Sequence, residues 1–281
     1  MDIVGDSRDP RRYRASRRSA TQFERRPIAR FVLVHGAFGG AWCWEPLIEP
    51  LEAAGHTVES FDLPGGGDDQ TPVEDVTLES CAARVCAVLS QRPEPAVLVG
   101  YSMGGAIVTQ AASNCPERVA ALVFVAAFMP ADGQSLLDLT HLPEGKDDMI
   151  QANLVIEGDP PVAVLSEEAT AAAIYNDCTS EQTAWAVARR RPQPVAPFAD
   201  PARIDESVLA AIPRSYVLTT RDRSIPPALQ RRMIREHPCE NVIELDADHA
   251  PFLSATNELA AALVGLADRA SRPQEHRDVR G

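Results

Sequence analysis

The chain lacks any apolar run of the roughly 18 to 20 residues that a helix needs to cross a bilayer, so no membrane association is expected. It also lacks a positive surplus. Its 27 Lys and Arg face 40 Asp and Glu, and a net charge of −13 argues against nucleic acid as a partner, because phosphate binding needs a basic surface. No CxxC pair occurs. The six cysteines (Cys43, Cys81, Cys86, Cys115, Cys178 and Cys239) show no metal-ligand spacing and read as small buried hydrophobes, so neither a metal site nor a catalytic thiol is expected. The Arg17–Arg18 pair is not followed by the apolar stretch of an export signal, and the expected location is cytoplasmic.

What is present is ordinary for a globular chain: 281 residues, 45% hydrophobic and 24% charged, enough for one large domain with a substantial core. Residues 1–30 carry nine arginines against Asp2, Asp6, Asp9 and Glu24 and lack hydrophobic periodicity. Residues 1–27 therefore read as a disordered basic extension, and 271–281 as a polar tail.

From Phe31 onward, apolar runs alternate with helical patterns. "FVLV", "TVESFDL", "PAVLVG", "ALVFVAAF", "SYVLTT" and "NVIEL" are six strand candidates. Near-continuous apolar strands separated by amphipathic helices predict an α/β fold, a mostly parallel sheet with helices on both faces. The core is assigned to residues 28–128 and 214–270. Residues 129–213 interrupt the alternation, lack strand candidates and carry Pro-rich stretches with two helical segments. They read as a helical cap over the carboxyl ends of the strands, where ligands bind in such folds.

Two glycine turns carry the chemistry. The first, "HGAFGGAWCW", follows a strand and opens a helix, like a phosphate cradle, but its glycines do not fit G-x-G-x-x-G. The second, Gly100-Tyr101-Ser102-Met103-Gly104, is a G-x-S-x-G pattern joining a buried strand to a helix. In that context Ser102 sits on a sharp turn with its hydroxyl above the sheet, beside a helix N-terminus.

A serine hydroxyl needs a base to become a nucleophile. Of the six histidines, His56 begins a strand, His237 ends a helix, His276 lies in the tail and His141 in the insertion. His35 reads as a brace for the first glycine turn. His249, in "DADHAPF", follows the last strand at its carboxyl end, level with Ser102, and is the expected base. Asp248 is too close in sequence to reach its ring and reads as structural. Asp222, in "LTTRDRSIPP", follows the preceding strand and is the expected acid, giving the order Ser102, Asp222, His249. The oxyanion donors are the backbone N–H of Met103 and, from the first turn, that of Ala37, with Phe38 its neighbour. Phe38, Phe128, Met129, Trp185 and Phe198, with Met103, are the expected apolar walls of the substrate pocket.

At this point "FVLVHGAFGGAWCW", "DLPG", "GYSMGG", "TTRDRSIP" and "DADH" resemble the plant methylesterase and hydroxynitrile lyase branch of the α/β-hydrolases and its bacterial esterase relatives. The match runs from about residue 28 to 270. It implies the same triad, a six-stranded core with an inserted cap, and no metal or cofactor. The lyases of this branch carry Thr where this chain has Ala37 and Lys where it has Ala250; the chain's single lysine is Lys146. Those differences favour ester hydrolysis over cyanide release. Bacterial relatives read Gly-His-Gly where this chain has Gly65-Gly66-Gly67. The expected activity is hydrolysis of a small, largely apolar carboxylic ester through an acyl-enzyme. A thioesterase or tailoring hydrolase with the same triad is the alternative, and a receptor without turnover a remoter one. The partner is a small-molecule ester, with a homodimer left open.

Overall fold

A computed structural model describes residues 28–270; the expectations for residues 1–27 and 271–281 lie outside the described residues. Nine strands occur in it: β1 (Arg30–Val34), β2 (Thr57–Ser60), β3 (Ala96–Tyr101), β4 (Val119–Val125), β5 (Val155–Glu157), β6 (Val162–Val164), β7 (Gln193–Pro194), β8 (Arg214–Thr219) and β9 (Asn241–Leu245). Six of them form one parallel sheet in the order β2-β1-β3-β4-β8-β9, matching the six strands read from the sequence.

Position in the sheet explains composition. The inner strands β1 and β3 are buried at every residue, because helices cover both faces, and their sequences are accordingly almost wholly apolar. The edge strands β2 and β9 are only partly covered and carry Glu59 and Glu244 within them. Helix Leu78–Leu89 starts at Thr77, which exchanges hydrogen bonds with Ser80 in a capping box. It packs with helix Gly104–Asn114 on the sheet.

The insertion differs from its sequence reading. Besides several short helices it holds a three-stranded antiparallel sheet, β5-β6-β7, where no strand was expected. These strands are two or three residues long, too short for alternation to register, and β7 ends in Pro194 at the sheet's edge. Within the insertion, Thr179 and Gln182 form a capping box at the start of helix Ser180–Val187.

The cysteine reading also needs a correction. Cys86 and Cys115 are joined in a disulfide, their Cα atoms 6.1 Å apart. Cys86 lies on helix Leu78–Leu89 and Cys115 caps helix Gly104–Asn114, so helix packing joins residues whose spacing gave no sign of pairing. Cys43 and Cys81 are buried free thiols, while Cys178 and Cys239 are half-buried. No helix among the described residues is long and apolar enough to cross a membrane.

Candidate active site

Four loops at the carboxyl ends of parallel strands converge on one place. Ala37 follows β1, Ser102 follows β3, Asp222 follows β8 and His249 follows β9.

Ser102 occupies a conformation that L residues avoid, with φ of +54°. Such strain persists only where the surroundings hold it. Here Ser102 N donates to Val125 O at 3.3 Å, and Ser102 O accepts from Gly105 N at 3.0 Å and Phe128 N at 3.1 Å. The flanking glycines have a different task from the turn. Neither Gly100 nor Gly104 has positive φ; at Gly104 a Cβ would stand 2.7 Å from the carbonyl oxygens of Val34 and His35. Glycine there lets the helix that follows Ser102 press against β1.

His249 Nε2 lies 3.0 Å from Ser102 Oγ, and His249 Nδ1 lies 2.8 Å from Asp222 Oδ2. A carboxylate only accepts, so the proton sits on Nδ1 and Nε2 keeps a lone pair for the serine hydroxyl. Asp222 is itself held by four further donors. Thr219 Oγ1 and Gln230 Nε2 donate to Oδ2 at 2.9 and 3.0 Å, and the amides of Ser224 and Ile225 each donate to Oδ1 at 2.8 Å. The His249 ring packs against Tyr101, centroids 5.0 Å apart. All three polar residues are buried.

Asp248 takes no part in this chain of bonds. Its Oδ1 accepts from Ala250 N and Ser254 Oγ, and its Oδ2 from Asp177 N in the insertion at 2.9 Å. His35 donates from Nδ1 to Gly36 O at 2.8 Å and accepts at Nε2 from Leu63 N at 3.0 Å. Burial lowers its pKa and keeps the ring neutral, as that donor and acceptor pair requires. Gly66 lies against this ring.

The backbone amides of Ala37 and Met103 make no hydrogen bond among the described residues. Phe38 N, in contrast, donates to Gln193 Oε1 of β7 at 3.3 Å and is occupied.

Two small cavities meet at Ala37, Phe38, Ile150 and Ser102. One, of about 30 Å³, is walled by Met103, Phe128, Leu136, Phe198 and Ile225. The other, of about 20 Å³, lies toward His249, Tyr101 and Tyr175. Of the residues named from the sequence as pocket walls, Phe38, Phe128 and Phe198 line the first cavity. Met129 and Trp185 line neither. Met129, four residues past the end of β4, faces another cavity with Phe124 and Leu209. Trp185 packs edge-on to Trp42 at 5.3 Å, with the Arg189 guanidinium 4.4 Å from its ring.

Sequence reasoning missed the polar residues of the first cavity: Thr140, Asp148, Gln151 and Ser224. Asp148 is buried, and burial pushes its carboxyl up to about 6. It lies in the charged stretch "PEGKDD", which reads as a solvated loop; its one telltale is its place as the cap before helix Met149–Asn153.

A family model described as "Alpha/beta hydrolase family" matches residues 31–262. Methylesterase 7 of Arabidopsis thaliana is 33% identical over 254 residues, covering 85% of this chain and 96% of that protein. Two longer Arabidopsis thaliana relatives of the same methylesterase series, chloroplastic by name, are 34% and 33% identical; the chain spans 63% and 56% of their length. Among solved structures, polyneuridine aldehyde esterase superposes with a TM-score of 0.78 at 27% identity, covering 86% of this chain and 100% of that one. A pyrethroid hydrolase from Sphingobium faniae JZ-2 also gives 0.78, at 26% identity, covering 86% and 98%.

Proposed function

Starting from a chain that belongs to the alpha/beta hydrolase family, we propose that it hydrolyses a small, largely apolar carboxylic ester through an acyl-enzyme on Ser102. The observation that carries this reading is the unbroken hydrogen-bond chain from Ser102 Oγ through His249 to Asp222. The methylesterase names of its relatives favour methanol or another small alcohol as leaving group.

In this mechanism Ser102 Oγ attacks the ester carbonyl while His249 Nε2 takes its proton, and Asp222 stabilises the imidazolium and fixes the ring. Negative charge develops on the carbonyl oxygen and is met by the free amides of Ala37 and Met103. Each such donor is worth about 3 to 4 kcal/mol in the transition state. The alcohol departs with the proton held on His249. Water then attacks the acyl-enzyme, again giving its proton to His249, and the acid is released as Ser102 recovers its own.

The two cavities divide the substrate. The leaving alcohol must lie near the proton it receives, so it occupies the cavity that includes His249. The acyl group fills the cavity of Met103, Phe128 and Phe198. Residues 129–213 act as a cap, since Leu136, Ile150 and Phe198 come from that insertion.

Hydrolysis of p-nitrophenyl acetate by the wild-type chain and by Ser102→Ala tests the reading. The variant is expected to lose at least about a thousandfold in kcat. Undiminished turnover in it would refute the mechanism.

A further inference from the structure

The acyl cavity contains one ionisable side chain that the proposed mechanism does not use. Asp148 lines it together with Ser102 and Met103, and is 5% exposed. Its two oxygens are not equivalent. Oδ1 accepts from Ile150 N at 2.7 Å and Gln151 N at 3.1 Å, capping the helix Met149–Asn153. Oδ2 accepts no hydrogen bond among the described residues.

Three polar side chains stand beside it in the cavity, and none donates to it: Gln151 reaches Asp148 only through its backbone amide, and the two hydroxyls are committed elsewhere. Thr140 Oγ1 gives its proton to Leu137 O at 2.9 Å, and Ser224 Oγ gives its proton to Ala173 O at 2.9 Å. Both hydroxyls are therefore left as acceptors toward the cavity. The remaining wall is largely apolar: Phe128, Leu136, Phe198 and Ile225 among others. Oδ2 therefore opens onto the cavity with no protein donor; an apolar acyl group that fills the cavity strips this oxygen of water, whereas one that carries a donor replaces the water's hydrogen bond.

Resting on the ester-hydrolase reading above, we propose that Asp148 is a specificity residue, which selects esters whose acyl part carries a hydrogen-bond donor, a hydroxyl or a protonated amine. The donor belongs to the acyl side because the alcohol occupies the cavity on the His249 side, whose lining does not include Asp148. Above its pKa of about 6 the carboxyl is ionised and accepts from either donor. The chain's net charge of −13 further favours the cationic form at the surface.

The test uses the full chain at pH 8 and five methyl esters: butanoate, 2-hydroxybutanoate, 3-hydroxybutanoate, 3-aminobutanoate and 3-methoxybutanoate. The methoxy ester keeps the oxygen of the hydroxy ester, is larger by one methylene unit and has no proton to give, while butanoate is the smaller control. The wild-type chain is expected to favour at least one hydroxy or amino ester over both butanoate and the methoxy ester. The ratio of kcat/KM should reach about tenfold or more, as for one hydrogen bond to a charged group. The hydroxy and amino arms tell a neutral donor from a cationic one.

Asp148→Asn and Asp148→Ser both retain a side chain able to cap the helix, and both are expected to shrink that ratio below about threefold. Equal turnover of all five esters overturns this inference and leaves the esterase reading intact. So does a preference that survives in a folded variant, or a methoxy ester that matches the hydroxy one. No turnover of any ester by the wild-type chain overturns both.

Discussion

Gly36 lies so close to Ser102 that a Cβ on the glycine would stand 2.7 Å from the serine Cβ. The loop after β1 and the turn after β3 are thus in contact through a missing methyl group. This contact brings the Ala37 amide beside the serine.

Gly36→Ala forces these two loops apart, and Tyr101 O, 3.1 Å from the same added atom, blocks a sideways escape. A misplacement of about 1 Å at reacting groups costs on the order of a hundredfold in rate. Steady-state kinetics with p-nitrophenyl acetate should show kcat down by about that factor, with KM changed far less. An unaltered kcat would mean that the Ala37 amide is not part of the reaction.

Asp222→Asn keeps the size of the side chain and removes its ability to accept on both ends. Ser224 N and Ile225 N require an oxygen at one end, so the amide nitrogen turns toward His249, Thr219 and Gln230. The imidazole proton then moves to Nε2, which can no longer take a proton from Ser102. A loss of about 10³ to 10⁴ in kcat is expected, with the circular dichroism spectrum retained. A loss below about tenfold would remove Asp222 from the mechanism.

Phe198→Leu trims the wall of the acyl cavity where Phe198 stands 6.4 Å from Phe38, centroid to centroid. Room for an added methylene or two shifts the preferred acyl length upward. The ratio of kcat/KM for hexanoyl over acetyl p-nitrophenyl esters should rise about tenfold. An unchanged ratio would place the acyl chain elsewhere.

Asp148→Asn has a second, independent signature in stability. The carboxyl rises from 3.8 to about 6 on folding, through burial, with His249 opposing the shift and Asp222 adding to it. The folded state then holds the proton more tightly than the unfolded chain. Asp148 therefore favours folding below about pH 4 and loses that contribution as pH rises toward and just past 6, a change of about 3 kcal/mol. Urea unfolding of wild type and variant at pH 4.5 and 7.5 should show the Asn variant gaining stability relative to wild type at the higher pH. A difference independent of pH would contradict the burial of a titrating carboxyl.

The frame of the molecule was legible because its inner strands are largely apolar and its helices are amphipathic. Ser102, Asp222 and His249 were legible because each closely follows the end of a strand of the parallel sheet, β3, β8 and the edge strand β9, so strand direction alone brought them level. The insertion was not, because strands of two or three residues leave no period to read. Phe128 and Met129 are sequence neighbours in the loop just past β4, yet only the first reaches the cavity beside Ser102 and Met103. Composition cannot separate them; the direction of the chain does. Asp148 hid for the opposite reason: a carboxylate beside Lys146 and Asp147 looks solvated until the helix it caps is folded over the site.

Asp248 ties the insertion to the loop of the base. Its Oδ2 takes the Asp177 amide while its Oδ1 holds the backbone just after His249, and Arg221 clasps Asp177 at 2.9 Å along the same seam. Parting this seam would strip a buried carboxylate oxygen of its donor, at a cost of about 1 to 3 kcal/mol, and would tug on the base itself. The Asp177 edge is therefore where the insertion and the His249 loop are fastened to each other, so a change in that edge is felt at the imidazole through a single carboxylate.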